Sequence, residues 1–327
     1  MFKINNSLRQ AFKSCPRKLY WSTVAGLETV NTGRALIIGR AFHKGVEHWR
    51  VTKATVPDAS VSEAIHVLVE EFTFGGLGGE ALMVEAAKLK AYLLGYFKAY
   101  QGDVPLLPRW RAEVKIETAT DHGTLDAMFE DDDGFVWMVD DKTRSVLSPV
   151  EPETLPLNEQ VLNYGLLVRA RGWDFGGVIW RETRKSASRP RRGEHMDAFT
   201  ARVVEEYTGP TALERYRETR VEILDAQLDA YEKWKDKIDV KIRVALEAES
   251  VDDLPWNGSS CLGAYGACEF LSLCTKSQYM AAQYKPSTRG EPINDYWHKT
   301  LWPQGYEKWA TDNGSRPGVA SGDDVDF

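Results

Sequence analysis

Apolar residues recur at helical spacing through most of the first hundred positions. The spacing predicts a helix over 7–22, interrupted near Pro16, where a proline can open a new first turn. Further helices are predicted over 36–52, containing GRAFHKGVEHWR, over 60–73 with Ser60 or Ser62 as N-cap, and over 80–101. FGGLGGE, between the last two, reads as a turn. From about residue 109 the period changes to two. RWRAEVKIETA alternates apolar and polar residues, and GTLDAMFE and FVWMVDDKT follow with DDDG between them, which predicts a hairpin. A helix over about 157–171, a strand over FGGVIWRET, a further strand over 197–207 and a long helix over about 211–247 complete the pattern. Past residue 286 the chain turns polar, and NGSRPGVASGDDVDF reads as a disordered tail. This order predicts an α/β core with a helical insertion. The expected organisation is one domain over 1–285: a helical part over about 1–105, an α/β core over about 106–207, and the long helix with a cysteine cluster over about 208–285. An extension at 286–327 follows.

Composition changes this picture little. With 43% hydrophobic and 27% charged residues, the 327-residue chain has the make-up of a soluble globular protein. No apolar run is long enough to span a bilayer, which argues against a membrane partner. MFKINNSLRQAFKSCPRK lacks the apolar stretch of a signal peptide, so a cytoplasmic location is expected. A net charge of −7 mildly disfavours a polyanionic partner. The charge is uneven, however. WRETRKSASRPRRGEH, residues 180–195, sets Arg181, Arg184, Lys185, Arg189, Arg191 and Arg192 against Glu182 and Glu194. That excess is either a solvated loop or a phosphate-binding surface.

Candidate chemistry gathers at the end of FVWMVDDKTRS, residues 135–145. On an extended strand, Val136, Met138, Asp140 and Lys142 share one face, while Phe135, Trp137, Val139 and Asp141 share the other. Thr124, Asp126 and Met128 share a face of the preceding strand, so the hairpin brings Asp126 toward Asp140. Two close carboxylates repel unless a cation or proton lies between them. Their oxygens suit Mg²⁺ or Mn²⁺, and a lysine beside such a metal orients water or stabilises charge developing on phosphate. A surface salt bridge between Asp140 and Lys142, with an unrelated Asp126, is the plainer alternative. Two other cation motifs fail on spacing. HKGVEH is neither H-E-x-x-H nor H-x-x-E-H, and DDDG has Phe129 where a calcium loop needs its first aspartate.

GTLDAMFEDDDGFVWMVDDKT resembles the G-x-x-D … D-x-K core of the PD-(D/E)XK nuclease superfamily. More narrowly it is similar to the RecB-like branch with an iron–sulfur cluster, which includes the CRISPR-adaptation exonucleases and the AddB nuclease domain. Further stretches carry that narrower likeness in family order from about residue 7 to 275. SLRQAFKSCPRKLYW resembles the branch's N-terminal segment with its first cysteine, GRAFHKGVEHW its helix bearing a metal-binding histidine, and EQVLNYGLL its Q-x-x-x-Y helix. The resemblance implies a restriction-endonuclease-like core, a central mixed sheet flanked by helices. It implies that Asp126 and Asp140 ligate the metal, with His43 as a third side chain and Asp141 contributing its backbone carbonyl. Lys142 would be the catalytic lysine and Glu113 a second acidic group. Gln160 and Tyr164 would position the lysine, the water or the DNA backbone. The implied reaction is metal-dependent hydrolysis of DNA, most simply by an exonuclease acting on single-stranded or frayed ends in recombination, repair or CRISPR-like processing. A reading from a different class makes the chain a DNA-binding or assembly module, with a protein partner in a recombination complex and weak or accessory nuclease activity.

The four cysteines enter here. Cys261, Cys268 and Cys274 form C-x6-C-x5-C, unlike the tight C-x2-C pairs of zinc ribbons. The triplet resembles the C-terminal half of the branch's iron–sulfur site, which implies a [4Fe-4S] cluster on Cys15, Cys261, Cys268 and Cys274. The first interval is longer than the family's usual one, which keeps zinc and free thiols open. Trp21, Trp49 and Tyr164 either stack on unpaired bases or pack in the core.

Overall fold

The structure, a computed structural model, describes residues 2–30, 33–74, 78–103, 109–147, 151–263, 266–275, 283–287 and 293. It divides into two compact units, Met1–Lys3 with Gly33–Glu232, and Ile4–Thr32 with Lys233–Phe327. The tail read as disordered lies outside the described residues.

Along the chain, α1 (Asn6–Ser14) starts where Asn5 Oδ1 accepts a hydrogen bond from the Leu8 N–H. Cys15 is extended and Pro16 opens α2 (Pro16–Leu19), the restart expected of that proline. A π-turn at Tyr20–Val24 and β1 (Leu27–Thr29) follow. Next come α3 (Arg34–Val51), α4 (Pro57–Phe74) and α5 (Glu80–Ala99). Neither Ser60 nor Ser62 caps α4, because the helix already begins at Pro57. Ser60 is buried instead and shares a hydrogen bond with His48 Nδ1 at 2.9 Å.

β2 (Trp110–Glu117), β3 (His122–Glu130) and β4 (Val136–Arg144) form an antiparallel meander. Its second turn is closed by Asp131, whose carboxylate accepts from the N–H groups of Asp133 and Phe135. A short α6 (Glu151–Thr154) and α7 (Glu159–Arg169) then lead to β5 (Phe175–Arg184), which lies parallel to β4. α8 (Met196–Thr208), β6 (Tyr216–Glu222) and α9 (Asp225–Leu246) follow. The chain continues through the small β7 (Leu262–Gly263) and β8 (Gly266–Ala267) pair, α10 (Leu271–Cys274) and β9 (Tyr284–Pro286), which pairs with β1. The central sheet has the order β2-β3-β4-β5-β6, mixed and five-stranded, so the fold is α/β. No helix among the described residues is long and apolar enough to cross a membrane.

Two elements differ from the sequence expectation. Residues 197–207 are helical: Phe199, Val203 and Tyr207 recur every four positions and are buried in the core shared by α3, α4, α5 and α8. The helix expected from 211 begins only at Asp225, because Tyr216–Glu222 is instead an edge strand on β5. Facing residues there carry opposite charge, Glu218 against Arg181 and Arg217 against Glu182, which stabilises pairing and leaves few apolar residues to announce a strand.

In the first unit the helical core is built on Phe42, Trp49, Leu68, Leu93, Tyr96 and Phe199. Gly45 lets α3 approach its neighbours, since a Cβ there would lie 2.7 Å from Leu93 Cδ1 and 3.0 Å from Ala64 Cβ. The second unit packs Tyr20, Trp21, Ile242, Leu246, Phe270 and Tyr284 together. Beside them a fully buried Arg9 makes a two-pronged ion pair with Asp239, Nε to Oδ1 at 2.7 Å and Nη2 to Oδ2 at 2.8 Å. Trp21 and Trp49 are both 1% exposed, so they pack in cores and present no face to a base.

Candidate active site

Ala127 pairs with Val139 across β3 and β4, so the next residue on each strand, Asp126 and Asp140, stand opposite one another. The Asp141 N–H donates to Asp126 Oδ2 at 3.0 Å and ties the two strands together just past their last ladder pair. Asp140 is buried; its Oδ2 lies 2.6 Å from Lys142 Nζ, and its Oδ1 accepts from Gln160 Nε2 at 3.1 Å. His43, from α3, places Nδ1 3.2 Å from Asp126 Oδ2. The ammonium of Lys142 also sits over the Trp180 ring, 5.2 Å from its centroid. The structure thus brings together Asp126, Asp140, Lys142, His43 and Gln160 from β3, β4, α3 and α7.

The charges at this point are strongly coupled. Burial raises the Asp140 carboxyl and Asp126 raises it further, against the pull of Lys142. Burial acts the same way on Asp126, but there His43 and Lys142 outweigh it and hold the carboxyl low. Burial opposes the charged forms of His43 and Lys142 too, yet Asp126 raises the imidazole and Asp140 raises the ammonium. His43 and Lys142 thus act on both carboxylates, His43 mostly on Asp126 and Lys142 mostly on Asp140. Tyr164, one turn beyond Gln160 and hydrogen-bonded to it, has its hydroxyl pushed up to about 12, first by burial and then by Asp140.

Asp141 faces the other way, as the two-residue period predicts. Its Oδ2 lies 2.7 Å from Arg50 Nη2 on α3, and its Oδ1 accepts from the Tyr96 hydroxyl of α5 at 2.7 Å. Arg50 Nη2 also donates to Tyr96 at 2.9 Å. All three side chains are buried. Nothing in the sequence reading pointed to Arg50 or Tyr96. The available signal was an arginine beside the apolar Val46 and Trp49 of a core helix, seven residues after His43.

Arg181 corrects the basic surface expected over 180–195. It is 3% exposed, lies 2.7 Å from both Asp103 Oδ2 and Glu218 Oε2, and stacks 4.0 Å from the Tyr100 ring. A guanidinium so enclosed is committed to the protein interior and offers nothing to a phosphate. Arg184, Arg189, Arg191 and Arg192 are exposed and Lys185 is half-buried.

Glu113 stands between the ladder pairs Ala112–Ala127 and Val114–Leu125, opposite Asp126. Its φ of 49° is left-handed, which for a non-glycine residue costs about 1–3 kcal/mol and persists only where the surroundings enforce it. Burial raises its carboxyl, and Asp126 and Glu47 raise it further, so Glu47 on α3 joins this acidic side of the site. Gly123 explains the glycine of the G-x-x-D stretch. A Cβ there would lie 2.6 Å from Tyr164 Cε1 and 2.9 Å from Leu167 Cδ1, so its absence lets α7 lie close on β3 and bring Gln160 to Asp140.

In the second unit Cys15, Cys261, Cys268 and Cys274 line one cavity of about 270 Å³ together with Trp21 and Trp256. All four are free thiols. The Trp21 Nε1–H donates to Cys274 Sγ at 3.3 Å and the Asn257 N–H to Cys15 Sγ at 3.4 Å. Burial raises the Cys268 thiol. Four sulfurs on one cavity, two of them met by N–H donors, have the chemistry of an iron–sulfur or a zinc donor set alike. Between β3 and β4, the carboxylates are the hard oxygen donors that Mg²⁺ or Mn²⁺ takes, the His43 imidazole is a softer, borderline one, and the raised Asp140 carboxyl marks a place where added positive charge is favourable. Among the described residues, no three His, Cys, Asp or Glu side chains are gathered to hold a metal ion as they stand.

A mixed sheet carrying two opposed acids and a lysine on neighbouring strands is the arrangement expected of a metal-dependent nuclease of α/β type. The sequence profile of the PD-(D/E)XK nuclease superfamily matches residues 7–275, and the chain belongs to that superfamily. Its members are nucleases that typically use Mg²⁺ or Mn²⁺, and the five-stranded sheet flanked by helices agrees with their restriction-endonuclease-like fold. No match was found among curated proteins.

Proposed function

We propose that the protein is a deoxyribonuclease of the RecB-like branch, an exonuclease acting on single-stranded or frayed DNA ends in recombination, repair or CRISPR-like processing. The observation that supports this reading most is the pairing of Lys142 with a buried Asp140 at 2.6 Å, directly opposite an Asp126 fixed by the Asp141 N–H. In this reading Asp126, Asp140 and His43 hold Mg²⁺ or Mn²⁺, with the Asp141 carbonyl as a further ligand and Glu113 as an accessory acid. The ion would supply Lewis-acid stabilisation of the phosphate and a more acidic water.

The side chains do the rest. Asp140 and the Trp180 ring restrain the Lys142 ammonium, so it meets a phosphate oxygen or the attacking water with little reorganisation. Gln160 holds the Asp140 carboxylate from the far side, and Tyr164 holds Gln160. Arg184, Lys185, Arg189, Arg191 and Arg192 are the candidate phosphate contacts. In the second unit we propose a [4Fe-4S] cluster on the four cysteines, with a structural role: it would close a loop from Cys15 to Cys261, a long span with a large closure entropy.

The test is anaerobic purification with an absorption spectrum and metal analysis, followed by digestion of end-labelled linear DNA and of a closed circle in Mn²⁺. Shortening of linear single strands with the circle intact supports the exonuclease reading. Equal cutting of the circle makes the protein an endonuclease, and no cutting of either rejects nuclease function.

A further inference from the structure

A groove of about 820 Å³ opens in the first unit, its walls carrying Arg34, Lys88, Ser145, Lys185 and Arg189. β4 and β5 run parallel to their last pair, Arg144 with Arg184, and the Lys185 N–H then donates to the Arg144 carbonyl at 2.6 Å. Ser145 and Lys185 are thus the first residues beyond the ends of two parallel strands. Crevices at the carboxyl ends of parallel strands are where open α/β sheets bind ligands. Lys142 lies three residues before Ser145, at most about 10 Å of extended chain.

The charges in this groove are of two kinds. Arg34 and Lys88 both pair with Glu85, a carboxylate only 4% exposed, with Lys88 Nζ at 3.6 Å. Two cations on one acid leave a fixed surplus of positive charge. Lys185 and Arg189 make no ion pair with a carboxylate among the described residues. Against these four cations the lining sets Glu85 and Glu80. Burial and the nearby Arg144 both disfavour the charged form of Lys185, with Glu85 only partly offsetting them, so an anion in the groove would relieve it. The ligand that fits is anionic and repeats its charge along the groove. The groove's volume lies within the roughly 300–1,000 Å³ range of small-molecule pockets, which gives room for a few nucleotides of one strand.

We propose that this groove is the track by which a single DNA strand reaches the candidate active site, its phosphates held by Lys185 and Arg189 beside Arg34 and Lys88. The proposal rests on the nuclease reading above and adds the path of the strand and the part played by Arg34 and Lys88. The track explains why the basic surplus of residues 184–192 sits on an acidic protein.

Two measurements separate the track from the reading it rests on. The first is binding of fluorescein-labelled oligothymidylate without divalent metal, followed by anisotropy across a salt series. Each phosphate contact on a single strand contributes about 0.7 to the slope of log K against log salt, so Lys185→Gln with Arg189→Gln lowers the slope by about 1.4. Arg191→Gln with Arg192→Gln, on the same segment but outside the groove lining, changes it by less. Lys185→Arg keeps the parental slope, and melting curves confirm that each variant is folded. The second measurement is Mn²⁺-dependent digestion by the parent. If the parent digests DNA while the Lys185/Arg189 pair keeps its slope, or if only the Arg191/Arg192 pair loses it, the track is wrong and the nuclease reading stands. If the parent neither digests nor binds, the reading fails and the track with it.

Discussion

Asp141→Asn separates architecture from chemistry, because Asp140 and Asp141 are neighbours on β4 that face opposite ways. The substitution preserves shape and keeps an acceptor for the Tyr96 hydroxyl, but it removes the only carboxylate beside Arg50 Nη2 among the described contacts. Breaking a buried pair by removing one partner costs about 3–5 kcal/mol, because the remaining charge is left uncompensated. Arg50 retains the Tyr96 oxygen at 2.9 Å and the Trp110 ring at 5.4 Å, so the lower end, about 3 kcal/mol, is expected. Against a total stability of roughly 5–15 kcal/mol that is a large loss. It corresponds to a fall in Tm of about 6–12 °C for a unit of some 200 residues. Adding Arg50→Met should restore much of it, since a neutral pair strands no charge, and a double-mutant cycle by urea denaturation would measure the coupling. The N–H that holds Asp126 is backbone and survives the change, so below the transition Asp141→Asn should cleave DNA within about threefold of the parent. A melting curve indistinguishable from the parent's would refute the energetic argument. A folded variant as inactive as Asp140→Asn would refute the assignment of the two aspartates.

The other expectations are more direct. Lys142→Ala should lower kcat at least about 100-fold with KM little changed, in steady-state digestion of a short labelled strand; a change confined to KM would make the lysine a binding group. Gly123→Ala should push Tyr164 and α7 off β3, so that activity falls by more than the loss of stability explains; a variant with parental kcat would show that α7 does not need its close seat. Cys268→Ala should yield a colourless protein with a lower Tm, and an unchanged visible spectrum with unchanged melting would exclude a cluster on these thiols. Gly45→Val should destabilise by about 1–3 kcal/mol through overpacking against Leu93 and Ala64, read by urea denaturation; no loss would mean that α4 and α5 yield freely.

What could be read in advance followed the strength of local signals. β2 was visible through its alternation, β3 and β4 through the Asp-Gly turn between them, and β5 as a short apolar run, while the period of two separated Asp140 from Asp141. α8 was misread because Phe199, Ala201 and Val203 also alternate; its true spacing becomes decisive only with the α5 surface it packs on. β6 was misread because its stabilising partners are charges on β5, which no window of its own sequence contains. At the site, the residues carried by contiguous motifs were nameable, whereas the Arg50 and Tyr96 clamp on Asp141 joins three distant segments. Arg181 shows the opposite failure: it belongs by sequence to a basic run, but its place on a strand inside the sheet turns it inward to Asp103 and Glu218.

The most direct test of the whole account is Mn²⁺-dependent digestion of linear single-stranded DNA by the parent and by Asp140→Asn, each shown to be folded by its melting curve. The account predicts digestion by the parent, suppressed by a chelator and restored by Mn²⁺, and none above background by Asp140→Asn. Parental rates from folded Asp140→Asn would contradict it.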